Sequence, residues 1–332
     1  MSVSVALCTH NGSRFLAAQL ESIYAQTVLP DELIISDDAS TDATLAMIDE
    51  IVAAHAPSAM RVTVLANSIA LGVTANFERA IAACTSDVIL LSEQYDVWSP
   101  ERVQRTLQEF DDPTVMLVHS DATLIDAEGA TLPGTLFEAY SVDAAARHEL
   151  AHGDAFAIFM RRNLVTGATA AIRANLARAA MPFAEGWVHD EWLAIVAASI
   201  GRIAPIEQPL IGYRQHGNNE IGAVKLTLSA KLRRLTAPGW ARNRRLLERA
   251  EALATRYPQL GEWATPTRID AVARKLAHEQ ARSALSVHRL ARIAPVVREA
   301  RTGRYSEFGG GLQDIVRDLV QPLTPGLTAR AR

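Results

Sequence analysis

Leu33-Ile34-Ile35-Ser36-Asp37-Asp38-Ala39-Ser40-Thr41-Asp42 is an apolar run that closes on two adjacent carboxylates and then on a polar turn. A short buried strand delivering charge at its carboxyl end reads as one unit of an α/β sheet, in which ligands bind beyond the strand ends. The same reading extends in both directions. Apolar runs at 3–7, 62–65, 88–91 and 115–119 are separated by helical spacings over 15–24, 41–54, 74–84 and 100–110. Ser40 or Thr41 is placed to cap the second of these helices. The pattern predicts a mostly parallel sheet covered by helices on both faces.

Residues 127–188 are less regular, with 165–172 the best strand within them; 189–200 reads as a helix and 203–213 as strand and turn. From 225 onward the pattern is helical and rich in Ala, Leu and Arg, with breaks at Pro238, Pro258, Pro266, Pro295 and Gly309-Gly310-Gly311. The expected division is residues 1–222 and a helical region 223–332. Net charge is −4 overall, but 223–332 carries 3 Lys and 18 Arg against 9 Asp or Glu, a balance of +12 that leaves −16 for 1–222. An acidic first part is a poor nucleic-acid binder and suits a metal site. Basic residues over 225–249, among them Lys231, Arg233, Arg234, Arg242, Arg244 and Arg245, flank Leu228, Leu232, Leu235 and Trp240. That region is read either as a peripheral contact with anionic lipid or as a packed or dimerising helical face.

No run approaches the ~18 apolar residues of a membrane helix, and MSVSVALCTHNG lacks the basic start and apolar core of a signal peptide. Cys8 and Cys84 make neither a disulfide framework nor a metal cluster and are expected as small buried hydrophobes. A reducing cytoplasm fits these features.

Four polar clusters follow the predicted strands or open a helix. Asp37-Asp38 can accept from a ribose hydroxyl or a pyrimidine N–H, or serve as a surface turn with a cap. Glu93-Gln94-Tyr95-Asp96 ends a strand with two acids, suited to a divalent cation that bridges a diphosphate, or equally to an acidic strand end under Trp98. His189-Asp190-Glu191-Trp192 places acids in a first helical turn, where they complement the dipole or where one acts as general base. Tyr213-Arg214-Gln215-His216 can reach phosphates and a metal.

In this order and spacing VALCTHNG, ISDDASTD, LGVTANFERAI, LSEQYDVW, HDEWLA and YRQHGNN resemble the family 2 glycosyltransferases. Within that family they are most similar to rhamnosyltransferases of surface-polysaccharide assembly. The resemblance spans roughly residues 3–220. It implies a GT-A fold, a nucleoside-diphosphate-sugar donor, Mg²⁺ or Mn²⁺, and a glycan or lipid-linked glycan acceptor. By resemblance Thr9, Asn11, Asp37 and Asp38 contact the nucleotide, and Gly72 and Asn76 border the base or pack a helix entry. Gly167, Ala168 and Thr169 bring backbone close to donor and acceptor, Asp190 is the general base, and Arg214 touches the diphosphate. Glu93, Asp96 and His216 are the metal candidates. Tyr95 stands where relatives carry the direct metal ligand, and a phenol with a pKa near 10 is a poor Mg²⁺ ligand. Either Glu93 or Asp96 takes over or metal binding is weakened. A nucleotide-sugar-binding protein that has lost catalysis is therefore the alternative reading. A dinucleotide-dependent oxidoreductase is excluded, because no G-x-G-x-x-G follows the first strand.

Overall fold

The computed structural model describes residues 1–56, 58–215 and 239–323. The chain divides into two compact units, one of Met1–Ala155, Asn163–Phe183 and Val188–Val224, the other of Phe156–Arg162, Ala184–Trp187 and Lys225–Arg332.

In the first unit β1 (Val3–Thr9), β2 (Glu32–Asp37), β3 (Arg61–Ala66) and β4 (Val88–Glu93) are joined by α1 (Leu16–Tyr24), α2 (Thr44–Ala54) and α3 (Val73–Ala83). They pair in parallel in the order β3-β2-β1-β4. Odd and even positions of β1 and β2 are buried alike, as an apolar strand requires when both faces of its sheet are covered. Beyond β4 the sheet is mixed rather than mostly parallel. β5 (Val97–Trp98), α4 (Arg102–Glu109), β6 (Val115–Ile125), β7 (Thr131–Thr135), β8 (Ala170–Arg173) and β9 (Arg202–Arg214) complete it in the order β4-β8-β6-β9-β5. β8 lies antiparallel to both β4 and β6, while β6 and β9 are parallel. The cause is the long excursion after β6, which returns the chain to the sheet from the opposite end.

That excursion is not shapeless. It holds β7, α5 (Leu136–Tyr140), α6 (Ala144–His152), α7 (Ala155–Phe159) and α8 (Ala174–Ala180). Thr135 and Asp143 cap α5 and α6 with side-chain oxygens. The strand expected over 165–172 is a single 3₁₀ turn, Gly167–Thr169, followed by β8. α9 (His189–Ile200) has the predicted bounds. α2 starts at Thr44 rather than at Ser40 or Thr41; the Asp42 carboxylate accepts its first amide at 3.0 Å, and Ser40 serves Asp37 instead.

The second unit contains α10 (Trp240–Arg256), α11 (Pro266–Ser283), α12 (Arg289–Arg301), α13 (Arg304–Phe308) and α14 (Leu312–Val320). In one of its core clusters Leu285, Val296 and Tyr305 are buried against Ala300, Ile315, Leu319 and Leu323. Ion pairs supplement it, with Arg282 on Asp318 at 2.7 Å and Arg242 on Asp314 at 2.7 Å. Of the basic stretch over 225–249, residues 225–238 lie outside the described residues.

Candidate functional site

The carboxyl ends of β1 and β2 are tied together before they meet any ligand. Thr9 Oγ1 donates to Asp37 Oδ2 at 2.7 Å, and the Asp38 amide donates to Thr9 O at 2.8 Å. The Asn11 amide donates to Ser40 Oγ, and Thr41 N to Asn11 Oδ1, both at 2.8 Å. Asn11 and Ala39 both take left-handed backbone angles, with φ of 48° and 59°. Such strain in non-glycine residues persists where the surrounding bonds over-determine it, and it clusters at functional loops.

These loops open on a cavity of about 840 Å³. Thr9, Asn11 and Asp38 from the ends of β1 and β2, Glu93 and Tyr95 from the end of β4, and Asp190 with Glu191 all line it. Asp38 accepts from the amides of Leu71 at 2.6 Å and Gly72 at 2.9 Å and from Asn67 Nδ2 at 2.9 Å. Burial alone would raise its pKa, but these three donors outweigh it and hold the carboxyl below its ordinary value. A carboxylate has about four acceptor directions, so Asp38 keeps capacity for a ligand donor. Cys8 also lines the cavity; burial and then the Glu93 and Asp38 charges push its thiol up, so it stays protonated.

Several expected site residues turn out to support the cavity. Asp37 is fully buried on Thr9 and Ser40 and does not line it. Gly72 opens α3 at φ 85°, a conformation that favours glycine, and its amide serves Asp38. Asn76 borders the cavity, but its amide is committed to Ser36, accepting from Oγ at 2.6 Å and donating to the carbonyl at 2.8 Å. Thr169 is buried and donates to Thr166 O at 2.9 Å.

Two expected site residues lie away from the cavity wall. Arg214 is not on the cavity wall: Nε donates to Tyr95 O at 2.7 Å, and Nη1 to Asp126 O and Ala127 O at 2.9 Å each. A buried guanidinium must satisfy its donors, and carbonyls at strand ends do that here. Asp96 likewise points inward, accepting from the Arg214 amide at 2.9 Å beside buried Arg102. Burial raises its carboxyl well above the usual range, and Asp96 does not line the cavity. Glu93 remains on the wall, Tyr95 offers only a phenol, and His216 lies outside the described residues. Among the described residues no three His, Cys, Asp or Glu side chains are grouped to hold a metal. This donor set does not fit a carboxylate-rich Mg²⁺ or Mn²⁺ site.

Part of the wall is built on α9. Asp190 is half-buried; its Oδ2 accepts from the Gly167 amide at 3.1 Å and its Oδ1 from the Glu191 amide at 2.6 Å. His189 stacks on Phe77 at 3.9 Å, and neither ring nitrogen has a hydrogen-bond partner. Burial pushes its pKa down to about 3, so the ring is neutral.

Other wall residues were given no role of their own by the sequence. Gln94 clamps the β1 loop by accepting from His10 N at 2.8 Å and donating to His10 O at 2.9 Å. A Cβ on Gly12 would come within 2.1 Å of its Oε1, so glycine there makes room for the clamp. Tyr140 and Tyr213 line the cavity, and both hydroxyls are raised by burial and then by carboxylates that include Glu93 and Asp190. Among the described lining residues Arg14 is the one Lys or Arg; it lies 4.8 Å over the Phe15 ring and 3.7 Å from Glu128.

Residues 4–164 match the family model "Glycosyl transferase family 2". An uncharacterized glycosyltransferase of Nostoc sp. is 28% identical over 68% of this chain and 69% of that protein. The dTDP-rhamnosyl transferase RfbG of Shigella flexneri is 31% identical over 30% of this chain and 35% of its own length. A crystal structure of S. aureus TarS in complex with UDP superposes with a TM-score of 0.53 at 14% identity, covering 91% of this chain and 92% of that one. At such identity the likeness speaks to the fold, a GT-A sheet followed by helices. Residues 4–164 thus carry the sequence pattern of a family 2 glycosyltransferase domain, and a relative aligned over 68% of the chain is named a glycosyltransferase.

Proposed function

We propose that residues 1–222 bind a nucleoside-diphosphate sugar and transfer the sugar, with inversion, to an acceptor hydroxyl of a growing surface glycan or lipid-linked glycan. The observation that carries this reading is that Asp190 lines the same cavity as Thr9, Asn11 and Asp38. The nucleotide takes the Thr9–Asp38 side, with the spare acceptor capacity of Asp38 facing a ribose or pyrimidine donor. Asp190, held by the Gly167 amide, removes the acceptor proton. The acceptor oxygen then bonds to the anomeric carbon as the carbon–oxygen bond to the diphosphate breaks, and the electron pair leaves with the nucleoside diphosphate. Because the described donors do not fit a metal, we assign the charge on the leaving diphosphate to Arg14 rather than to buried Arg214.

The motif pattern and the stretch shared with RfbG support dTDP-L-rhamnose as donor. We place the reaction in the cytoplasm; the free cysteines Cys8 and Cys84 agree with a reducing compartment. Among the described residues no helix is long and apolar enough to cross a membrane. The test is a panel of nucleotide sugars scored for thermal stabilisation and then for transfer with and without Mn²⁺. Stabilisation by dTDP-rhamnose with release of dTDP onto an acceptor supports the reading, and stabilisation without turnover on any acceptor contradicts it. The latter result is what the inward-turned Asp96 and the phenol at Tyr95 would give in a nucleotide-sugar-binding protein without catalysis.

A further inference from the structure

α12 and α14 of the second unit pack together and bury one side of each in the core around Val296 and Tyr305. Their other sides face out. On α12 the outward side carries Leu290, 84% exposed, with Ile293 at 50% and Val297 at 43%. On α14 it carries Leu312, 74% exposed, with Val316 at 41% and Val320 at 46%. Isolated exposed aliphatics are ordinary, but six on two neighbouring helices at i, i+3/i+4 spacing form a patch that calls for a partner.

The exposed charge on the two helices themselves has one sign; Glu307 on α13 is exposed but pairs with Arg274 at 2.7 Å. Arg289, Arg298 and Arg301 are exposed on α12. Every carboxylate on the two helices is buried and paired instead. Glu299 accepts from Arg304 at 2.6 Å and lies 2.6 Å from His278 Nδ1. Asp314 accepts from Arg242 at 2.7 Å and Asp318 from Arg282 at 2.7 Å. The outward side of α12 and α14 therefore presents aliphatic and cationic groups with no exposed acid among the residues of either helix.

We infer that this face docks on an anionic phospholipid bilayer. Aliphatic side chains enter the boundary between headgroups and acyl chains while the flanking guanidiniums meet lipid phosphates, the arrangement of an in-plane amphipathic helix. Two alternatives fit this face less well. A second copy docked symmetrically on this face would bring its three arginines against the same three, since a two-fold interface pairs each patch with itself. A nucleic acid would meet the arginines, but single strands are held on stacking aromatics, and this face offers only aliphatics. The inference does not depend on the chemistry of the catalytic cavity.

The experiment is co-sedimentation of the full chain with vesicles of pure phosphatidylcholine and with vesicles of equal parts phosphatidylcholine and phosphatidylglycerol. Binding is expected to the anionic vesicles, to weaken with added salt, and to be minor on the neutral ones. Leu290→Gln/Ile293→Gln/Val297→Gln and, separately, Arg289→Gln/Arg298→Gln/Arg301→Gln should each lower the partition coefficient about tenfold or more. All substituted positions are exposed, and circular dichroism and nucleotide binding verify that each variant folds. Equal pelleting of wild type and both variants, or no pelleting on anionic vesicles, overturns the inference. Light scattering that shows a dimer dispersed by the aliphatic variant, with no vesicle binding, overturns it in favour of a second copy.

Discussion

The backbone amide of Gly167 donates to Asp190 Oδ2 at 3.1 Å, and the absence of a side chain at Gly167 leaves space for His189. A Cβ there would lie 2.5 Å from His189 Nε2, a ring fixed by its stack on Phe77. Gly167→Ala should therefore displace the start of α9, and with it the base. A misplacement of this size typically costs about 10²-fold in rate. The expected result is a lower kcat with donor affinity nearly unchanged; an unaltered kcat would show that the wall accommodates the methyl group.

Asp190→Asn keeps the shape of the site and removes the proton acceptor. Turnover should fall by about 10²–10⁴, while binding of the nucleotide sugar, read by calorimetry, stays close to wild type. Near wild-type turnover would remove Asp190 from the role of base.

Arg14 reaches the cavity from the loop after β1 and has only a distant partner in Glu128, at 3.7 Å. If it faces the leaving diphosphate, Arg14→Gln removes one charge-assisted contact and should lower kcat about tenfold to a hundredfold. Arg14→Lys should restore part of the loss. Equal rates for all three proteins in single-turnover assays would assign that charge to another group.

His189 gives the fold a specific acid sensitivity. Its pKa is about 3 in the folded chain and ~6.5 when unfolded, so the unfolded state takes up the proton first. Its contribution is fully present above pH ~6.5 and is lost as the pH falls toward about 3. His189→Phe retains the stack on Phe77 without the titration. Its melting temperature should fall less than that of wild type between about pH 7 and 5. Parallel pH profiles would mean that His189 does not account for the sensitivity. His119, pushed by burial to about 4, leaves a residual slope in both proteins.

Tyr95→Asp puts a carboxylate where the motif in relatives has one. It should make activity respond to Mn²⁺, because a carboxylate is ionised at neutral pH and a phenol with pKa ~10 is not. A variant whose rate stays insensitive to Mn²⁺ would place the obstacle in the inward turn of Asp96 rather than at position 95.

Much of the framework was readable from local pattern alone. The apolar runs of β1, β2 and β4 and the bounds of α9 follow from periodicity and flanking polar residues, which depend on near neighbours in the chain. The same reading placed Thr9, Asn11, Asp38, Glu93 and Asp190 at strand ends or a helix start, and all five line one cavity. Only tertiary structure decided which polar residues face solvent and which are consumed by the fold. Asp37 and Asp38 are adjacent and chemically alike, yet Asp37 is spent on Thr9 and Ser40 while Asp38 keeps acceptor capacity in the cavity. Arg214 and Asp96 look equally available in sequence, but buried charge must find partners, and here β9 and the turn after β4 supply them to each other. Tyr140 reaches the site from the long excursion after β6, which no local pattern records. Local periodicity is set by the backbone's own geometry, whereas the direction of a polar side chain is set by whichever distant group satisfies it.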